Sequence, residues 1–552
     1  MSKINDYLEY RKYKPEYQNW KNNRNLLTAK KLEYLKTNPI DDKQKDDDIK
    51  RAKIILNAVN TMDEYSQSRA EDMEVYIQGI IKPIADVVVN LSTLIAIGWV
   101  ALSKNAQKAL SEVIQGNFKN ARKLIAPLAI FIVPSIILSV FTSFWGAKKE
   151  IQASREGRAD AIKNDLQSEN QFALLTDEQE AEVEKIANTI KVSKKEKSKA
   201  ISATKGLGVI ESFKTIFKKE KEDKSLTKPK IDLSTKLTPE EILEAKKDKE
   251  LIQAIVEKID ITSQDYAENA ELITKVAMVL GFAGGGVVSS LAGKISKLLK
   301  VPIKYSQPIK LITNYAIMFS TAIIAAKIDK QASRVGRFRA KKELLNNPQA
   351  LYYVDNDKLE NVNANIDTSK KANFFQTFIQ LIKDNREYNK YVKENNAKDI
   401  QLRKAKNQID LSSQQRARAQ QLQKNVFNMF NILDDKSQTY SEATEALGDL
   451  VTQMVSNFIF APLLLLTMFK ETAKMIETKQ DYKPSAWIKI ASTFIIPILM
   501  NVIVTKEQKN ASRVANMQAI KELDDYRYFA NDKKDNNSQK LDSNKIFEKF
   551  LK

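Results

Sequence analysis

The residues whose type and spacing could do chemistry are three glutamates and three arginines that recur in fixed company. Ser66, Gln67 and Glu71 are matched by Ser263, Gln264 and Glu268, and again by Ser437, Gln438 and Glu442. Later in each copy, Ala153-Ser154-Arg155 is matched by Ala332-Ser333-Arg334 and by Ala511-Ser512-Arg513, with lysines at 148, 327 and 506 before them and at 163, 342 and 521 after. This second pattern repeats with the same spacing from copy one to two as from two to three, which marks a tandem repeat. A recurring carboxylate and guanidinium can serve two ends. They can pair and fix the register of two helices, or the arginines can converge on an anionic headgroup or solute. The small Ala and Ser beside each Arg favour close helix packing, hence the first. The expected ion pairs lie within each unit: Glu71–Arg155, Glu268–Arg334 and Glu442–Arg513.

Other chemistry is excluded by composition. The chain has no cysteine and no histidine. That removes disulfides, zinc held by Cys or His, a cysteine nucleophile and a histidine base. No phosphate-cradling glycine loop, nucleophile elbow or EF-hand loop occurs. The expectation is a protein that is not an enzyme, with no cofactor and no metal site.

The elements that must position the repeated residues are helices. Gly (14) and Pro (13) are scarce among 552 residues, and strand-like alternation is rare. Between the two patterns of each copy lies a pair of hydrophobic segments: 83–102 and 124–147, then 276–292 and 311–326, then 447–469 and 490–505. Leu124–Ala147 carries no charge at all, and Trp99, Trp145 and Trp487 sit at segment ends. The third segment sets Gly281, Gly285, Ser289 and Gly293 on one helix face, a stripe that lets another helix backbone approach. The expected fold is all-α and integral to the membrane. Three tandem repeats each combine a polar helical region, with coiled-coil-like stretches, and a two-helix transmembrane hairpin, six transmembrane helices in all. The units run 1–178, 179–357 and 358–535, followed by a polar tail over 536–552.

The net charge of +20 points to anionic surfaces. The lipid bilayer and its anionic headgroups are the expected partners, with protein partners on the cytoplasmic helices; nucleic acid is not expected. Tyr7, Tyr10, Tyr13, Tyr17 and Trp20 recur at helical spacing, and packing explains them better than base stacking. The first twenty residues lack the apolar run of a signal peptide, so both termini and the long polar regions are expected in the cytoplasm. The function expected is a membrane scaffold or membrane-shaping component. The alternative is a transporter or channel with a pseudo-threefold six-helix core. Three two-helix units resemble the mitochondrial carriers in number, yet the proline–acidic–basic motif of that family is found in none of these segments.

Overall fold

The computed structural model describes residues 2–37, 42–77, 119–194, 244–267, 330–345, 374–455 and 496–525, with a few isolated positions besides. The described residues form helices and the turns between them, with no strand. In chain order these are α1 (Ser2–Thr37), α2 (Asp42–Tyr76), α3 (Ile125–Asn164), α4 (Asp177–Thr189), α5 (residues 244–267), α6 (residues 330–345), α7 (Phe374–Lys406), α8 (Ser413–Val455) and α9 (Ile496–Asp525). The all-α class is as expected. Over the described residues, no helix is long and apolar enough to cross a membrane. Segments 83–102, 276–292 and 311–326, the small-residue stripe Gly281, Gly285, Ser289 and Gly293, and most of 447–469 lie outside the described residues. So do residues 490–495 and many side chains in the first part of α3.

Each unit contributes one helix that leads toward its hydrophobic pair and one that leads away from it: α2 with α3, α5 with α6, α8 with α9. The two run antiparallel, so residues rising in number along α2 meet falling numbers along α3. Tyr65 donates to Asp165, Ser66 meets Ser154, and Gly146 lies against Ile77.

The three leading helices are buried because their apolar residues recur every three or four positions, which makes one stripe on a helix. In α2 these are Ile55, Val59 and Met62; in α5 Ile252, Val256 and Ile259; in α8 Val426, Phe430 and Leu433. They occupy the same three positions of each repeat and belong to one continuous core. The units are therefore parts of a single body arranged about a common centre. Unit 1 adds a small cluster of its own, where Met73, Tyr76 and Ile77 of α2 pack on Ala153 of α3.

Helix starts are set by local chemistry. Thr176 and Gln179 form a reciprocal capping box at α4, and Ser412 and Gln415 exchange the same pair of bonds at α8. Residues 178 and 179 lie in the first turn of α4, and α4 packs on α7.

In units 3 and 1 the opening helix packs on another unit. In unit 3, α7 lays Tyr388 and Tyr391 against Phe338 of α6. In unit 1, α1 packs Tyr10 against Val514, Ala515 and Met517 of α9, with Tyr440 of α8 beside them. The aromatic face of α1 is thereby a packing face, and it closes the first unit onto the last.

Candidate functional site at the centre of the three repeats

The two repeated patterns do meet within each unit, and serine is what joins them. Ser66 and Ser154 share a hydrogen bond of 2.7 Å, Ser263 and Ser333 one of 2.8 Å, and Ser437 and Ser512 one of 2.7 Å. The helices cross closely there. A Cβ on Gly157 would stand 2.3 Å from the Tyr65 carbonyl oxygen, and one on Gly336 would stand 2.7 Å from that of Thr262. Only a residue without a side chain lets the backbones approach this far.

Some charges pair within a unit, as Arg69 does with Asp160 and Lys258 with Glu343, but Glu71 and Arg155 each pair with another unit and not with each other as expected. Glu71 of unit 1 is held by unit 2, with Arg337 at 2.9 Å and Arg334 at 3.4 Å. Arg155 of unit 1 makes two bonds of 2.6 and 3.0 Å to Asp435 of unit 3. Glu442 sits beside Glu150, whose carboxyl is pushed well above the usual range by burial and by the neighbouring Glu442 and Glu445. Glu268 lies outside the described residues. Arg513 pairs with no carboxylate in the described ion pairs, and its Nε lacks a hydrogen-bond partner among the described residues. The physical reason is geometric. Helix rise sets how far along the bundle a residue lies, but not which of two flanking units it faces.

A second set of residues, not singled out by the sequence patterns, organises the centre. Three positions before each repeated Ser stands an aspartate: Asp63, Asp260 and Asp434. Four positions after the second Ser stand Arg158, Arg337 and Asn516. Each aspartate reaches the unit that follows it in a closed cycle. Asp63 of unit 1 lies 3.7 Å from Arg337 of unit 2. Asp260 of unit 2 accepts a 3.2 Å hydrogen bond from Asn516 of unit 3. Asp434 of unit 3 pairs closely with Arg158 of unit 1 and also accepts from Ser66 at 2.6 Å. Each Arg is steadied by the Ser one turn earlier, Arg158 on Ser154 at 3.0 Å and Arg337 on Ser333 at 2.8 Å. The ring is thus knitted into the serine crossings.

The three seams differ electrostatically. At the first, burial opposes ionisation of Glu71, but Arg337, Arg334 and Lys330 outweigh it and hold the carboxyl below its ordinary value. Asp63 is pushed well above its ordinary value by burial, because Arg337 divides its charge between Asp63 and Glu71. At the third seam, between units 3 and 1, burial of Asp435 is outweighed by Arg155 and Arg158, which keep it ionised. At the second, Asn516 brings no charge. Burial, with Asp434 and Glu257 nearby, pushes Asp260 up to about 7 despite the Asn516 hydrogen bond. A small pocket opens at this seam, lined by Tyr17, Trp20, Glu257, Asp260, Arg513 and Asn516.

A further node lies toward the other end of the bundle. Asp248 of α5, with no exposed surface, binds Arg51 of α2 at 2.7 and 2.8 Å and Asn425 of α8 at 3.1 Å. One residue from each unit meets there.

Among the described residues no group of His, Cys, Asp or Glu is arranged to hold a metal ion. The arrangement joins units; its carboxylates and guanidinium groups are turned on one another. The chain matches no known protein family, no curated protein and no solved structure.

Proposed function

We propose that the chain is a multi-pass membrane protein that works as a non-enzymatic scaffold or membrane-shaping component, with its polar helices and both termini in the cytoplasm. The observation that carries this is the contrast along α3. Toward its C-terminal end the helix is built into the bundle, with Ala153, Ser154 and Ala161 buried. Nearer its start Val133, Ile137, Val140 and Phe141 form one exposed stripe, Ile137 at 61% and Phe141 at 54%. In water such a stripe is unfavourable by roughly 25 cal/mol for each Å² of apolar surface, and lipid removes that penalty. The uncharged run Leu124–Ala147 is long enough in sequence for a bilayer core.

The scaffold reading is favoured over a transporter by the centre of the bundle. Asp434 and Arg158 face each other there, as do Asp63 and Arg337. Paired groups of this kind fix register, whereas a conduit needs ionisable groups open to a passing solute.

The test is fractionation of expressed full-length protein with an alkaline carbonate wash. Retention in the membrane pellet is expected. Release into the supernatant, together with a monodisperse preparation without detergent, would overturn the proposal. Flux measurements on liposomes carrying the protein separate scaffold from transporter.

A further inference from the structure

At the ring position that faces its aspartate, the second seam carries asparagine where its two counterparts carry arginine, and the difference has a chemical consequence. We propose that Asp260 is a proton-binding site which takes the place of the missing guanidinium and makes the joint between units 2 and 3 sensitive to pH near neutrality. The proposal is independent of whether the chain enters a membrane.

The geometry is a ring with one substituted position. Arg158 and Arg337 each supply a positive charge to the aspartate of the preceding unit. Asn516 stands at their position and donates only an amide hydrogen. Its side chain is 8% exposed, and its Oδ1 has no partner among the described residues. A carboxylate largely withdrawn from water without a counter-charge is costly, and a proton is the smallest group that removes the cost.

The groups around Asp260 come from every element packed on it. Glu257 lies one turn back on its own helix, and Asp434 of α8 and Asp63 of α2 are the other two ring carboxylates. Each of these opposes ionisation. Arg337 of α6 favours it but is engaged with Asp63 and Glu71. Arg513 and Asn516 of α9 and Tyr17 and Trp20 of α1 line the adjoining pocket, which leaves the carboxyl partly accessible to solvent protons.

The sign follows from linkage. The folded chain holds this proton up to about pH 7, whereas an unfolded aspartate releases it near 3.9. The unfolded state therefore binds fewer protons in this window, and folding stability falls as pH rises across it.

The experiment is thermal unfolding of the full-length protein from about pH 4.5 to 9, comparing wild type with Asp260→Asn, Asn516→Arg and Asp63→Asn. Asparagine mimics the protonated carboxyl, so Asp260→Asn is expected to exceed wild type in melting temperature by a margin that widens up to about pH 7 and then stays constant. Asn516→Arg, which restores the guanidinium, is expected to show the same widening margin. Infrared spectroscopy gives a measurement that does not depend on melting. A protonated-carboxyl band present in wild type at pH 6, lost by pH 8.5 and missing from Asp260→Asn is expected. Absence of any such loss overturns the proposal, and so does a margin that stays flat for Asp260→Asn while it widens for Asp63→Asn.

Discussion

The seam between units 1 and 2 and the seam between units 2 and 3 are built from the same repeat positions, yet one is held by ions and the other by a neutral hydrogen bond. At the first, Arg334, Arg337 and Lys330 face Asp63, Glu71 and Asp72. At the second, Asn516 faces Asp260. The comparison separates two properties that buried charges are often credited with together. Three units can be placed around one centre with only two guanidinium groups in the ring. The matched apolar positions, Ile55, Ile252 and Val426 among them, are shared by all three units and supply the common driving force. The ionic groups are what differ between the joints, three cations at the first and an amide at the second.

The largest effect in this comparison is expected from Arg337→Ala. It strips both Glu71 and Asp63 of their nearest cation, and removing one partner of a buried pair costs about 3–5 kcal/mol. Denaturant unfolding of full-length protein is the measurement. Glu71 gives a pH signature opposite to that of Asp260. The folded Glu71 carboxyl lies below its ordinary value, so its contribution is present above the unfolded value and is lost as pH falls through the folded one. Wild type should lose stability below about pH 4 from this group, and Arg337→Ala should remove that part of the acid sensitivity. A variant as stable as wild type would mean that the ion cluster contributes nothing to the joint.

The seams were only partly legible in sequence, and the reason is specific. The serine patterns were visible because identical residues recur, and the meeting of Ser66 with Ser154 follows from a hairpin with equal gaps on both sides. The expected Glu71–Arg155 pair differs from the structure in its neighbour, since Glu71 is held by Arg334 and Arg337 of unit 2. The ring itself stands at constant distances from the same serines. Its signal is broken in the third copy, which reads Ala515-Asn516 where the others read Gly157-Arg158 and Gly336-Arg337. The closed cycle, with α1 returning to α9, has no local sequence signal at all, because it joins residues close to opposite ends of the chain.

That Gly-to-Ala difference gives the next prediction in size. Gly157→Ala places a methyl group 2.3 Å from the Tyr65 carbonyl oxygen, and this neighbour is backbone that cannot turn aside. Overpacking of this kind costs about 1–3 kcal/mol. Unit 3 carries Ala515 at the equivalent position and still makes its serine bond at 2.7 Å. The reverse change, Ala515→Gly, should therefore give no comparable gain. It removes a buried methyl group and adds backbone freedom, so a mild loss of roughly 0.5–1 kcal/mol is expected in a helix. If both glycine sites accepted alanine without a change in unfolding midpoint, the close crossing would not be what demands glycine there.

The smallest effects belong to the rim, where the two joints look alike. Lys521 meets Glu16 of α1 at 2.6 Å, and Lys342 meets Glu387 of α7, both lysines standing at the same position of the repeat. These pairs are well exposed, with about 40 to 50% of each side chain open to solvent. Solvent screening and side-chain entropy leave such bridges worth about 0–1 kcal/mol. Lys521→Ala and Lys342→Ala should each lower the unfolding free energy by no more than that, and the loss should shrink in high salt, where the Debye length falls to about 3 Å. The aromatic packing beneath is expected to persist, because Tyr10 is fully buried against Val514, Ala515 and Met517 and does not depend on Lys521. Release of α1 by Lys521→Ala alone, seen as new protease cleavage between Tyr10 and Trp20, would move the closure of the cycle from its apolar face to its charged rim and make the two joints unlike where they now match.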